Sequence, residues 1–311
     1  MKKWIFTKEE VLNNPSSMDG ISDFDELRYR QNSARFIHDC GKKLNLPQGA
    51  INRGIVLMHR FYMLQSCATY DVYDISTACI FLTCKLEDNL ESNGIRAENI
   101  LRADHFSRVK NKILREFAWE LNLKRTTPKE MLFQLELEIL QTLGFNTETP
   151  KPEIYTEKML DSLQISGSVR GAANFLTTNA LYMTRFCVTM KPVVLAATCI
   201  YMALNWAQIQ VGKSSDGKHW WNYLDENLDE NELIYNVRVY LDVCQKYPAR
   251  VKDRYNTPNS YLEKLQTDFS FVKKCLNSKV LWNKLSKKEK QYCKEIKKQR
   301  KISRDGGYYE P

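Results

Sequence analysis

Apolar positions recur at helical spacing along most of the chain, and alternating runs of the strand type are almost absent. The clearest helical segment is TPKEMLFQLELEILQTLG, residues 127–144. Thr127 and Glu130 form a capping box with Pro128 at the first helical position, and Gly144 is placed to end the helix in a left-handed conformation. Between them an apolar stripe runs through Leu132, Leu135, Ile139, Leu140 and Leu143. Glu138 has Gln134, Gln141 and Thr142 three and four residues away, so it belongs to the wet face. Glu136 differs: it stacks between Leu132 and Leu140, inside the edge of the stripe. A carboxylate there needs a partner, either within the fold or on another protein.

Elsewhere the same punctuation predicts further helices. Thr7 and Glu10 make a second capping box, with Phe6 and Val11 spaced as a hydrophobic staple, and this short helix ends near Pro15. A helix is expected over 25–44, and Pro47 breaks the chain before another over 50–65. Asp74 is placed to cap a very apolar helix over 75–88. Residues 89–126 read as a surface excursion, with a loop-like NLESNG and a helix at 108–121. An echo then appears: Met58-His59-Arg60-Phe61 returns as Met183-Thr184-Arg185-Phe186, and Cys79-Ile80-Phe81 as Cys199-Ile200-Tyr201. Each copy pairs an amphipathic helix with one apolar all round, over 76–85 and 193–206, which belongs at the centre of a bundle. The polar NTETPKP, residues 146–152, marks the boundary between two copies of one all-α unit.

Composition narrows the function classes. At 311 residues, with 43% hydrophobic and 27% charged residues, the chain has the make-up of two ordinary globular domains. Its longest uncharged apolar run, 193–204, is too short to span a bilayer, and MKKWIFTKEE lacks the apolar run of a signal peptide. An intracellular protein is expected. Nine cysteines without a CxxC pair read as reduced core residues, and the four scattered histidines give no metal-ligand spacing, so no metal is expected. The charge of +9 is concentrated: residues 260–311 hold 14 Lys/Arg against 6 Asp/Glu, which leaves 1–259 close to neutral. No GxGxxG, Walker A, HExxH or GxSxG motif occurs, so neither catalysis nor a cofactor is expected.

With these pieces in place the chain resembles the cyclins. ACIFLTCKLED (78–88), preceded by MHRFYMLQS (58–66) and followed by LEILQTLGF (137–145), resembles the cyclin box, and the second copy looks like the C-terminal cyclin fold. Trp4, Phe6, Thr7, Leu12, Pro15, Ser16 and Tyr29-Arg30 resemble the openings of cyclins T and K, and Asp216-Gly217-Lys218-His219-Trp220-Trp221 is similar to a second-box loop that favours T over K. The resemblance covers about residues 3–255. It implies an all-α chain: lead-in helix 1–24, first box 25–146, second box 147–255 and basic tail 256–311. It also implies that Lys85 and Glu136 grip a cyclin-dependent kinase near its C-helix, with Phe81, Glu87 and Asp88 beside them. Lys85 follows Ala78, Phe81 and Leu82 on a buried face, at a helix C-terminus that favours a cation; pairing of Lys85 with Glu136 is the alternative.

Departures from the pattern are specific. Asn89-Leu90-Glu91 stands where cyclins T and K usually have a proline and two lysines. The M-R-A-I-L docking patch of cell-cycle cyclins is missing, and the chain stops sooner after the second box than many cyclins T. Phe61, Tyr62, Trp220 and Trp221 read as core, and Arg60 as a structural link between helices. In the tail, Lys287-Lys288 and Lys297-Lys298-Gln299-Arg300-Lys301 fit a nuclear-import signal, a weak RNA contact or a solvated tail. The expectation is a non-catalytic, nuclear, cyclin T-like subunit that activates a transcriptional kinase on the RNA polymerase II tail repeats. The alternatives are a cyclin K-like subunit, or a cyclin-fold scaffold or nucleic-acid-binding transcription factor without a kinase.

Overall fold

The computed structural model describes residues 4–87, 96–108 and 127–246. Within them the chain forms twelve α-helices, a single 3-10 turn and no strand. The lead-in contains α1 (Lys8–Leu12) and α2 (Pro15–Met18). Five helices build the first bundle: α3 (Asp23–Lys43), α4 (Gln48–Phe61), α5 (Val72–Leu86), α6 (Ala97–Arg108) and α7 (Thr127–Thr142). The second contains α8 (Pro152–Ser162), α9 (Gly167–Met183), α10 (Phe186–Thr189), α11 (Pro192–Trp206), the turn Trp220–Tyr223 and α12 (Glu230–Lys246). Among the described residues no helix is long and apolar enough to cross a membrane, and no cluster of His, Cys, Asp or Glu could hold a metal.

Each bundle closes around the helix that is apolar on every side. α5 packs against α3, α4, α6 and α7, and α11 against α8, α9 and α12. Small residues allow the approach: Ser76 and Ala78 in α5, and Ala196, Ala197 and Thr198 in α11, are completely buried. Gly41 of α3 lies so close to α4 that a Cβ there would meet Ile51 Cγ1 at 2.6 Å. The echo maps onto equivalent elements, Met58–Phe61 closing α4 and Met183 closing α9, with Cys79–Phe81 and Cys199–Tyr201 inside the central helices.

Helix ends show where local chemistry was readable. The Thr7/Glu10 capping box is formed, the Glu10 amide donating to Thr7 Oγ1 at 3.2 Å and the Thr7 amide to Glu10 Oε2 at 2.6 Å. For α5 the expected cap is corrected. Asp71 caps it, accepting from the amides of Tyr73 and Asp74, so Asp74 lies in the first turn and the helix ends at Leu86. The amides of Tyr73 and Asp74 are the orphan donors a cap must satisfy, and only a residue ahead of Val72 can reach them. The side chain of Thr127 and the expected helix at 108–121 lie outside the described residues.

α7 ends at Gly144 (φ +60°) as expected, with the Phe145 amide bonded to Leu140 O and the Gly144 amide to Gln141 O. The same paired bonds end α3, α8 and α11 at Asn45, Gln164 and Gln208, all at positive φ without being glycine. Exposed Gln164 (φ +54°) pays the left-handed cost for no visible side-chain gain. Gln164→Gly should therefore stabilise the protein by about 1 kcal/mol, read as a higher urea midpoint at unchanged slope.

Between the bundles lies a buried charged cluster. Glu26 of α3 pairs with Arg30 one turn on and with Arg185 of the second bundle, which also reaches Asp23 at 2.8 Å. Arg30 Nη1 donates to His59 O at 2.7 Å, His59 Nε2 lies 3.0 Å from Leu181 O, and Gln31 donates to Met183 O at 2.9 Å. The carbonyl of Leu181 can only accept, so His59 carries its proton on Nε2 and offers Nδ1 to Arg30. Burial, and then the Arg30 charge, hold His59 well below the ordinary 6.5. The folded state thus keeps His59 neutral while the unfolded chain protonates it. Stability should be fully present above pH 6.5 and fall below it by at most about 1.4 kcal/mol per pH unit. Denaturation at pH 7.5 and 5.5 tests this, and His59→Gln should flatten the difference.

Candidate functional site

The C-terminal half of α5 and the edge of the buried stripe of α7 bring Lys85 and Glu136 together. Lys85 Nζ donates to Glu136 Oε2 at 2.8 Å. The pair is asymmetric: the Lys85 side chain is 44% exposed and that of Glu136 only 10%. Glu136 is buried because its neighbours on the stripe, Leu132 and Ile139, face the core. Lys85 reaches it from the last turn of α5, where the free carbonyls of the helix end favour a cation. Among the described residues Glu136 Oε1 takes no hydrogen bond and Lys85 Nζ makes only this one, so acceptor and donor capacity remain. The partner that the sequence demanded for Glu136 is therefore within the fold, and half of it is open to solvent.

Around this pair the surface is apolar. Lys85 Nζ sits 4.6 Å above the ring of buried Phe81, whose centroid lies 5.6 Å from that of Phe133. Phe81, Cys84, Lys85 and Phe133 line an open depression of about 450 Å³, rimmed by Arg96 and by a Lys129–Glu98 ion pair. Met131, Phe133 and Leu137 are each close to half exposed, and Phe145 is 66% exposed at a positive φ. The sequence reading passed over these residues. The signal was available: Phe133 and Leu137 stand four apart and off the buried stripe, which makes a second apolar row on an exposed face.

The other expected residues are distributed differently. Glu87 turns away from Lys85 and pairs with Arg53 of α4 at 3.1 Å. Asp88 and the basic tail with Lys287, Lys288, Lys297, Lys298, Arg300 and Lys301 lie outside the described residues. Glu138 is half-buried rather than wet, because it accepts from the Tyr70 hydroxyl at 2.7 Å. Phe61, Tyr62, Trp220 and Trp221 are buried, as read from the sequence. Arg60 is structural as expected, but it ties α4 to the lead-in and to the joining segment rather than to another helix: it stacks on Trp4 at 4.8 Å and donates to Glu148 O. Burial lowers its guanidinium to about 10, which leaves it charged at neutral pH.

Comparison with known proteins agrees with this architecture. Residues 2–122 match the cyclin N-terminal domain, and residues 151–238 the C-terminal domain of the Cyclin-T2-like type. Mouse cyclin-T1 is 34% identical over 251 residues, covering 81% of this chain and 34% of the relative. Human cyclin-T2 is 33% identical over 250 residues, covering 80% and 33%, and cyclin-T of Drosophila melanogaster 31% over 256 residues, covering 82% and 22%. The chain thus spans about a third, or less, of the length of these curated relatives. In fold it is similar to a chain in the crystal structure of the yeast RNA Pol II CTD kinase CTDK-1 complex, with a TM-score of 0.60, 15% identity, and coverage of 86% of this chain and 83% of that one. Two cyclin folds in tandem, matched in order and at about a third identity by cyclins T1 and T2, make this a cyclin-domain protein of cyclin-T-like sequence.

Proposed function

We propose that this chain is the non-catalytic regulatory subunit of a transcriptional cyclin-dependent kinase, acting on the C-terminal repeats of RNA polymerase II to promote elongation. The observation that carries the reading is the half-open Lys85–Glu136 pair set at the rim of an exposed apolar patch. A pair that only tied α5 to α7 would gain nothing from Phe133 and Leu137 left in water beside it. Such a patch with spare hydrogen-bonding capacity at its edge has the composition of a protein–protein hot spot. The names of the relatives, cyclin-T1 and cyclin-T2, and of the yeast kinase complex that shares the fold, supply the class of partner.

In this reading Lys85 donates to, and Glu136 accepts from, groups near the kinase C-helix, while Phe81, Phe133 and Leu137 cover its apolar face. Phosphoryl transfer needs the strand lysine and C-helix glutamate of the kinase in contact with one another. A subunit that binds only the helix-in state raises its population by the difference in affinity for the two states. Nuclear residence through the basic tail belongs to the same proposal.

Affinity purification of the tagged full chain from cells tests it, comparing wild type with Lys85→Ala and Glu136→Ala. Wild type should retain a cyclin-dependent kinase active on a polymerase-tail peptide, and both variants should lose it while remaining folded by circular dichroism. Absence of any kinase from the wild-type eluate would overturn the proposal.

A further inference from the structure

Beside the cluster between the bundles lies a buried cation with no carboxylate among the described residues. Arg185 and Arg30 both have carboxylates, whereas Arg60, 4% exposed, has none among the described residues. Its guanidinium offers five donors and spends one on Glu148 O; its Nε, fully buried, has no hydrogen-bond partner. A buried guanidinium without a counter-charge is costly to keep. The carbonyl it holds belongs to the peptide unit that ends at the Cα of Thr149, so that Cα lies within roughly 6 Å of the cation.

Thr149 has the features of an acceptor for modification. It is partly exposed, has no hydrogen bond among the described residues, and lies in the irregular segment 146–150, directly ahead of Pro150. A residue before proline is biased toward extended backbone, the form a proline-directed kinase can thread through its cleft. Next in the chain come exposed Lys151 and then α8, eleven residues long, whose N-terminus has no side-chain cap. Pro152 has no amide and the Ile154 amide bonds Lys151 O, so the helix end contributes only a partial positive charge three residues on from Thr149. Two carboxylates are nearby: Glu148 is exposed to solvent, and Glu153 is engaged by Asn52.

We propose that Thr149 is a proline-directed phosphorylation site and that Arg60 is the built-in counter-ion for its phosphate. The γ-phosphoryl group of ATP passes to Thr149 Oγ1: the bond to the β-phosphate oxygen breaks, a P–O bond to threonine forms, and ADP and the hydroxyl proton leave. The phosphate takes charge-assisted hydrogen bonds from Arg60 and stiffens the segment joining the bundles. This inference does not depend on the Lys85–Glu136 site.

The test treats the full chain with a purified proline-directed kinase and ATP, followed by mass spectrometry and thermal melting. Phosphate should appear at Thr149, be lost in Thr149→Ala, and raise Tm by about 2–4 °C, an increment absent in Arg60→Gln. Phosphorus NMR of the phosphorylated wild type keeps the test independent of how Arg60→Gln folds. A phosphate paired with Arg60 should titrate below the value of about 6 for an exposed phosphothreonine. No modification of Thr149, or a phosphate that titrates at the exposed value and leaves Tm unchanged, would overturn the proposal.

Discussion

Glu136→Gln is expected to weaken binding of the proposed kinase partner by about 2–5 kcal/mol, roughly 30-fold or more, with little change in the fold. The asymmetry of exposure makes this variant cleaner than its counterpart. Removing the charge from Glu136 leaves Lys85, nearly half exposed, to be solvated by water. Removing Lys85 instead leaves a carboxylate that is almost entirely buried without its donor, which costs stability of about 1–3 kcal/mol. Lys85→Ala should therefore melt earlier than Glu136→Gln while both lose the kinase. Phe133→Ala should add to the binding loss without lowering Tm, because its ring is half exposed in the free chain. Calorimetric titration with the purified kinase gives the affinities and thermal melting the controls. Wild-type affinity in a folded Glu136→Gln protein would mean that the pair is an internal tie between α5 and α7.

The second large effect concerns folding. Glu26→Ala should cost about 3–5 kcal/mol, because it strands the completely buried guanidinium of Arg30 and takes one carboxylate from Arg185. Arg185 keeps Asp23, so Arg30 carries most of the loss. Replacing Glu26, Arg30 and Arg185 together by apolar residues of similar volume should recover much of it, which separates the cost of a broken pair from the value of an intact one. Acid supplies an independent check. Burial alone would raise the Glu26 carboxyl, but the charges of Arg30 and Arg185 outweigh it and hold the group below its ordinary 4.5. A depressed carboxyl adds stability that is present above 4.5 and is lost as pH falls below that value. Acid weakening should accordingly come in two windows, one below 6.5 from His59 and a second below 4.5 from Glu26. Guanidinium melts of wild type and Glu26→Ala across pH 3–8 would show the lower window missing in the variant.

Much of this architecture was legible because it rests on local rules. The stripe of α7, the Schellman end at Gly144, the box at Thr7 and the two helices apolar all round each depend on residues within a few positions of one another. Glu136 stood out for the same reason, since a carboxylate between two leucines contradicts its own helix. What stayed hidden depends on distance in sequence. Glu26 and Arg30 are a visible pair one turn apart, yet the choice of Arg185 as their third member spans 159 residues. Tyr70 reaches Glu138 across 68 residues and moves it off the wet face. Asp71 and Asp74 are equally good caps by type, and only the observed start of α5 decides between them. The likeness to cyclins supplied the roles of Lys85 and Glu136, which no periodicity contains.

The echo at Arg60 and Arg185 also bears on what a duplicated unit has become. Both arginines leave their own bundle, one toward the joining segment and the other toward α3, and among the described residues neither contact has a mirror image in the other copy. Phe6 adds a further crossing, its amide bonded to Val188 O of the second bundle at 2.8 Å. Two halves of one fold thus present complementary rather than equivalent surfaces to each other. Expressed separately, neither should fold to its native stability, and exchanging their order in the chain should not restore it. Only the pair in its present sequence should unfold as a single cooperative body.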